Sequence, residues 1–153
     1  MPTFPDLFDA PDVETMRRRI TALTPDSQPL WGKMSVSDML AHVNVAYEMV
    51  YTAKHSRPNP IMRWVLKTIV KQRVVGPDPY PRHTPTAPAF RITEARDFET
   101  ERQRLLDYLQ QVMDEGRAAF EGRPSLSFGP LTATEWNALF AKHLDHHLQQ
   151  FGI

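Results

Sequence analysis

Along four long stretches of this chain apolar residues recur at intervals of three and four, and nowhere do they alternate convincingly with period two. Such a chain buries its core with helix stripes and not with sheet faces. The first stretch runs from about Asp12 to Leu23, with Val13, Met16, Ile20 and Leu23 on one side and Asp12 as the expected N-cap. The second opens at SVSD, where Ser35 offers a capping hydroxyl and Asp38 an acid three residues on. Val36, Met39, Leu40, Val43, Tyr47 and Val50 then share one face. The third, from about Asp97 to Gly116, carries Leu105, Leu106, Leu109, Val112 and Met113 and stops at a glycine. The fourth begins at Thr132, where TATE makes a full capping box with Glu135, and runs to Phe151 with Gly152 ending it.

The connection between the second and third stretches is long. After the breaker RPNP, Ile61, Met62, Val65, Leu66 and Ile69 suit a short extra helix, and Gly76 to Pro88 holds five of the fourteen prolines, which excludes regular strand pairing. The expected architecture is all-α: a four-helix bundle whose long crossover carries a short helix and a proline-rich loop, in a single domain over residues 1–153.

Eighteen basic and eighteen acidic residues balance, so nothing global favours a nucleic-acid partner. The N-terminal MPTFPDLFDAPD lacks the basic and apolar regions of a secretion signal, and no apolar run is long enough to span a bilayer. A soluble cytoplasmic protein with no stable membrane insertion is the expectation. The absence of cysteine removes thiolate ligands and a cysteine nucleophile. A metal site must therefore be built from His, Asp or Glu, and any thiol must come from outside.

Three of the six histidines lie in KHLDHHLQQFG. With about 100° per residue, His147 falls about 40° from His143, and Trp136, Leu139, Phe140 and Phe151 all fall within about 80° of it. His143 and His147 thus point into the apolar face, His146 sits at its rim, and Lys142 and Asp145 point outward. Two imidazoles four residues apart on a helix can converge on one cation. His42, on the flank of the buried arc of the second helix, is the natural third nitrogen, and Gln150, one turn beyond His147, is placed to hydrogen-bond a ligand imidazole. Packed, hydrogen-bonded core histidines are the competing explanation, and haem held by two histidines a further one. HExxH is absent because Leu144 stands where its Glu would be, and the paired Glu-x-x-His of di-iron bundles is absent too.

The His on the second helix after a Trp-containing entry, LWGKMSVSDMLAHV, and the HxxxH with trailing glutamines, HLDHHLQQ, resemble the DinB/YfiT-like family of bacterial metal-binding proteins. The fit extends to one subfamily through WGKMSVSDMLAHV, FGPLTATEW and KHLDHHLQQFG in that order. The resemblance implies an up-down-down-up bundle and a divalent metal, zinc or nickel, held by His42, His143 and His147; by their positions on the last helix, Gln150 and His146 are the candidates behind them. It also implies a homodimer, and for the better understood members a metal-activated low-molecular-weight thiol used in transfer or isomerisation.

Three neutral ligands leave a cation its full charge and an open position, which suits activation of a thiol or water for attack on a small-molecule substrate. No general base is evident. The alternative is a non-catalytic bundle that binds a metal or an apolar ligand. Lys54, Arg57, Arg63, Lys67, Lys71 and Arg73 form a basic stretch with no acid between Glu48 and Asp78. It reads as a solvated face, as a steering patch for an anionic substrate, or as a membrane-surface contact through Trp64. Trp31, Trp64, Trp136 and the methionines read as core packing.

Overall fold

The computed structural model describes residues 4–153. Six helices carry the fold: α1 (Ala10–Ala22), α2 (Val36–Tyr51), α3 (60–75), α4 (Phe98–Glu115), the single turn α5 (Arg117–Phe120) and α6 (133–150). The only strands among the described residues are the two-residue pair β1 (Pro124–Ser125) and β2 (Gly129–Pro130), antiparallel across the α5–α6 connection.

Local chemistry starts and stops these helices as the sequence indicates, with one exception. Ser35 accepts from the Asp38 amide, Asp97 from the Thr100 amide, and Thr132 and Glu135 close the capping box in both directions. Gly116 ends α4 at φ +78°, where a side chain would strain the backbone. The exception is Asp12. Helix α1 begins two residues earlier, at Ala10, with Pro11 in its first turn, and Asp12 lies inside that turn, where its carboxylate accepts from the Asp6 amide at 2.7 Å.

Cross-helix contacts fix the topology as up-down-down-up. Arg17 reaches the Leu106 carbonyl and Arg102 the Leu23 carbonyl, so α1 and α4 are antiparallel. Asn44 meets Glu101 and Glu48 meets Arg104, so α2 and α4 are parallel. Leu7, just before α1, bonds Asn137, and Arg19 bonds Asp145, so α1 and α6 are parallel. Two consecutive long helices running the same way require the chain to return the length of the bundle, and residues 52–97 do so as α3, an irregular proline-rich loop and a 3-10 turn at Pro88–Phe90. The core between the long helices is made of Met16, Ile20, Met39, Leu40, Val43, Tyr47, Leu105, Leu109, Phe140, Leu144 and Leu148.

Two π-helical turns alter what a regular wheel foretells. In α6 the segment Ala138–Lys142 is π-helical, so the residues after it are rotated relative to Trp136. Lys142, the last residue of that segment, is not outward but buried under the end of α3, where its ammonium donates to the carbonyls of Arg73, Gly76 and Asp78 at 2.8–3.0 Å. Asp145 is half-buried and paired with Arg19 at 2.7 Å. In α3 the segment Leu66–Val70 is π-helical, and the helix continues to Val75, further than its apolar spacing indicates. Of the expected α3 stripe, Ile61, Met62 and Ile69 are exposed. Trp136 is buried as expected, but Trp64 is exposed and Trp31 half-exposed, so neither is core packing. Met16 and Met39 are buried, Met62 is exposed, and Met1 lies outside the described residues.

Candidate metal centre

Helices α2 and α6 bring His42, His143 and His147 together although a hundred residues separate the first from the other two. The three offer nitrogens that all lie within 4.8 Å of one another, and no fourth His, Asp or Glu joins the group among the described residues. His143 and His147 converge because both belong to the regular segment His143–Gln150 beyond the π turn, where residues four apart stack. Their ring centroids are 4.9 Å apart, and His42 lies 4.8 Å from His143 and 4.6 Å from His147.

Two of the rings have their tautomers fixed by groups that can only accept. The Phe90 carbonyl lies 2.9 Å from His42 Nδ1, which must therefore carry the proton and leave Nε2 as a lone pair. Gln150 Oε1 does the same for His147 Nδ1 at 2.8 Å, while Gln150 Nε2 donates to the Trp31 carbonyl at 2.9 Å and so fixes the amide the right way round. The glutamine is placed by the backbone before α2. Gly32 sits at φ +80°, and a Cβ there would come within 2.8 Å of Gln150 Nε2.

His42 Nε2 and His143 Nε2 are 2.9 Å apart. Since His42 Nε2 is a lone pair, His143 must donate this bond, and its proton lies where a cation would bind. Two nitrogens that each lie about 2.0–2.1 Å from one ion are themselves about 2.9–3.4 Å apart, so the pair already has the spacing of a shared ligand set. The same closeness leaves no room for a porphyrin between the rings.

Burial keeps all three imidazoles neutral, as ligands must be. It holds His143 well below the usual histidine value, with the neighbouring His42, His147 and His146 adding repulsion, and lowers His147 to about 3 despite its hydrogen bond to Gln150. His42 is lowered as well, again chiefly by burial and in spite of its bond to Phe90.

The crossover loop covers this cluster. Phe90 packs on His42 and His143 at 5.4 and 5.6 Å, and Tyr80 stands edge-on to His143 at 6.4 Å and to His146 at 5.7 Å. Beyond Tyr80 and His146 opens a cleft of about 370 Å³ whose walls include Trp31, Arg82, Lys142 and Asp145. His146 is half-buried there, edge-on to Trp31 at 5.8 Å and to His147 at 5.1 Å, and has no hydrogen-bond partner among the described residues. The Arg82 guanidinium lies 4.1 Å over the Trp31 ring.

The structure thus joins His42, His143, His147 and Gln150 and sets His146 one layer out. The contributions of Phe90, Tyr80, Arg82 and Lys142 are not foretold by the sequence. A backbone carbonyl leaves no side-chain signature, and the proline-rich loop offers no period from which to place its rings. A family model described as the DinB superfamily matches residues 10–151. No curated protein and no solved structure matches the chain.

Proposed function

The chain belongs to the DinB superfamily, and from that premise we propose that it is a metal-dependent enzyme acting on a small molecule. In this reading His42, His143 and His147 hold a divalent cation, zinc or nickel, and one coordination position stays open. The observation that carries the reading is the donor set: three neutral imidazoles, His42 and His147 buried and His143 half-buried, two with tautomers set by acceptors behind them, and no fourth protein ligand beside them among the described residues. A structural site would be closed by a fourth side chain.

When bound, such a cation acidifies a coordinated low-molecular-weight thiol or water toward its nucleophilic form. The residues of the chain do the rest. Phe90 and Gln150 aim the imidazoles, Phe90 and Tyr80 exclude bulk water from the cluster, and the Trp31–Arg82 wall of the cleft receives the substrate, favouring one with an anionic group. His146, on the cleft side with no protein hydrogen bond, accepts the proton released there.

Elemental analysis of protein purified without an affinity tag tests the reading, followed by turnover across thiol-transfer and ester panels. The expected outcome is about one divalent ion per chain that is absent from His143→Ala, with turnover that depends on it. Bound ion and thermal stabilisation without turnover on any panel would assign the protein instead as a binding module. No bound ion, and a melting temperature indifferent to chelator, would leave the histidines as packed core residues.

A further inference from the structure

Helix α3 has apolar side chains on both sides. Leu66, Val70 and Val74 pack against the core and Val75 is buried. Ile61, Trp64 and Ile69 are 79%, 65% and 68% exposed, and Met62 is 49% exposed. Scattered single apolar residues at a surface need no explanation, but four large ones on one short helix make a patch. The charges carried by this segment of the chain itself have one sign. No acid occurs between Glu48 and Asp78, and while Lys54 pairs with Glu48 and Lys71 with Glu135, Arg57, Arg63, Lys67 and Arg73 have no ion-pair partner among the described residues.

We propose that this face of α3 docks on the surface of an anionic lipid bilayer. A helix with Trp and Ile on one side and Lys and Arg along its flanks lies in the plane of the interface, with its apolar side chains among the acyl boundary and its cations at the headgroups. Two observations select a lipid surface over a second copy of the chain. Four side chains on one helix expose a few hundred Å², well short of the roughly 800 Å² per partner that a stable dimer buries. A twofold contact through the patch would also bring two sets of unpaired Arg and Lys together without acids to meet them. Among the described residues no helix is long and apolar enough to cross a membrane, so the attachment is peripheral. The inference is independent of the metal reading, because none of these side chains touches the histidine cluster.

Co-sedimentation of the full chain with phosphatidylcholine vesicles, with and without about 30 mol% phosphatidylglycerol, tests it. At about 0.1 M salt the anionic vesicles are expected to bind at least about tenfold more tightly than neutral ones, and the difference should collapse at about 0.5 M salt. Trp64→Ser with Ile69→Ser should lower binding about tenfold, and Arg57→Glu with Lys67→Glu should do so separately, each with unchanged circular dichroism because all four positions are exposed. Equal partition onto both vesicle types, or binding that survives both double substitutions, overturns the proposal. So does a concentration-dependent dimer that Trp64→Ser with Ile69→Ser dissolves, because the occupant of the patch is then a second copy.

Discussion

Helix α2 buries His42 and Glu48 only six residues apart, and the fold treats the two in opposite ways. Glu48 meets α4 in a closed network of charges. Arg104 donates to both Glu48 and Glu101, Asn44 donates to Glu101 at 2.9 Å, Arg96 lies 3.6 Å from Glu101, and Lys54 and His55 complete the shell of Glu48. His42 meets α6 among two more imidazoles, with lone pairs turned inward and no acid at hand. In the first region each buried charge has its counter-charge inside the protein, although Asn44 Oδ1 and Arg96 Nε are left without a hydrogen-bond partner among the described residues. In the second the Nδ1 protons of His42 and His147 are directed behind the rings, to the Phe90 carbonyl and Gln150 Oε1, their Nε2 lone pairs face inward, and the His143 proton that bonds across to His42 sits where a cation would displace it. A buried cluster whose charges are balanced within the protein holds helices together, whereas one whose lone pairs converge with no acid or counter-charge beside them is a place for a cation from outside.

The comparison breaks if the two regions respond alike to truncation. Removing one of three ligands should weaken zinc binding by on the order of a thousandfold, about 4 kcal/mol, when His143→Ala is titrated against a competing chelator. The same variant without metal should unfold in urea at nearly the native midpoint, since it replaces a polar group by an apolar one. Arg104→Met is the mirror image. It takes one partner from each of two buried carboxylates, which keep Lys54 and His55 or Arg96 and Asn44, and should cost about 1–3 kcal/mol in urea unfolding, while metal affinity stays within about twofold. If Arg104→Met instead abolished metal binding, the two regions would be one coupled unit.

Acid sharpens the contrast from the side of the charged network. Burial pushes the Glu48 carboxyl up, but the hydrogen bonds from Arg104 and His55 and the charges of Lys54 and Arg104 together outweigh it and bring it from 4.5 down to about 2. A carboxylate held low in the folded state adds stability that is whole above its unfolded value, near pH 4.5, and is lost as pH falls through about 2. The full contribution is about 3 kcal/mol. Stability of the metal-free protein should thus decline between about pH 4.5 and pH 2, and Glu48→Gln should flatten that limb even while lowering stability at neutral pH. An unchanged acid limb in Glu48→Gln would mean that other carboxylates govern it.

Much of this was legible in the sequence, because capping chemistry is local and the period of 3.6 is strict. Ser35, Asp97, Thr132 and Gly116 mark helix ends in a few residues each. The convergence of His143 and His147 depends only on a spacing of four within a regular helix, and His42 needed only its own helix face. What failed depended on register across a π turn or on tertiary cover. Lys142 precedes His143 by one residue, yet no spacing betrays its burial, because the carbonyls of Arg73, Gly76 and Asp78 at the end of α3 cover its ammonium. The apolar spacing of Ile61, Met62 and Ile69 is helical, as the structure has it, but periodicity says that a stripe exists and not whether the protein covers it. The Glu48–Arg104 network joins residues 56 apart in sequence, with no spacing to betray it.

Gln150 provides the finest test, because it belongs to the histidine cluster without being one of the converging nitrogens. Its Oε1 holds the His147 Nδ1 proton and its Nε2 is anchored on the Trp31 carbonyl, so the ring is aimed by a side chain that is itself aimed. Gln150→Ala frees the ring to rotate and to exchange tautomers, and removal of such a partner characteristically lowers metal affinity by about 10–100-fold. That is less than the loss of a ligand and more than the effect of a surface substitution. Gln150→Glu separates aiming from charge: the carboxylate still accepts from Nδ1, makes the imidazole a stronger donor to the cation, and gives up the bond to Trp31. Chelator competition should therefore place Gln150→Glu above Gln150→Ala in zinc affinity. The reverse order would mean that the anchor on Trp31, and through it the loop ahead of α2, matters more to the cluster than the hydrogen bond to His147.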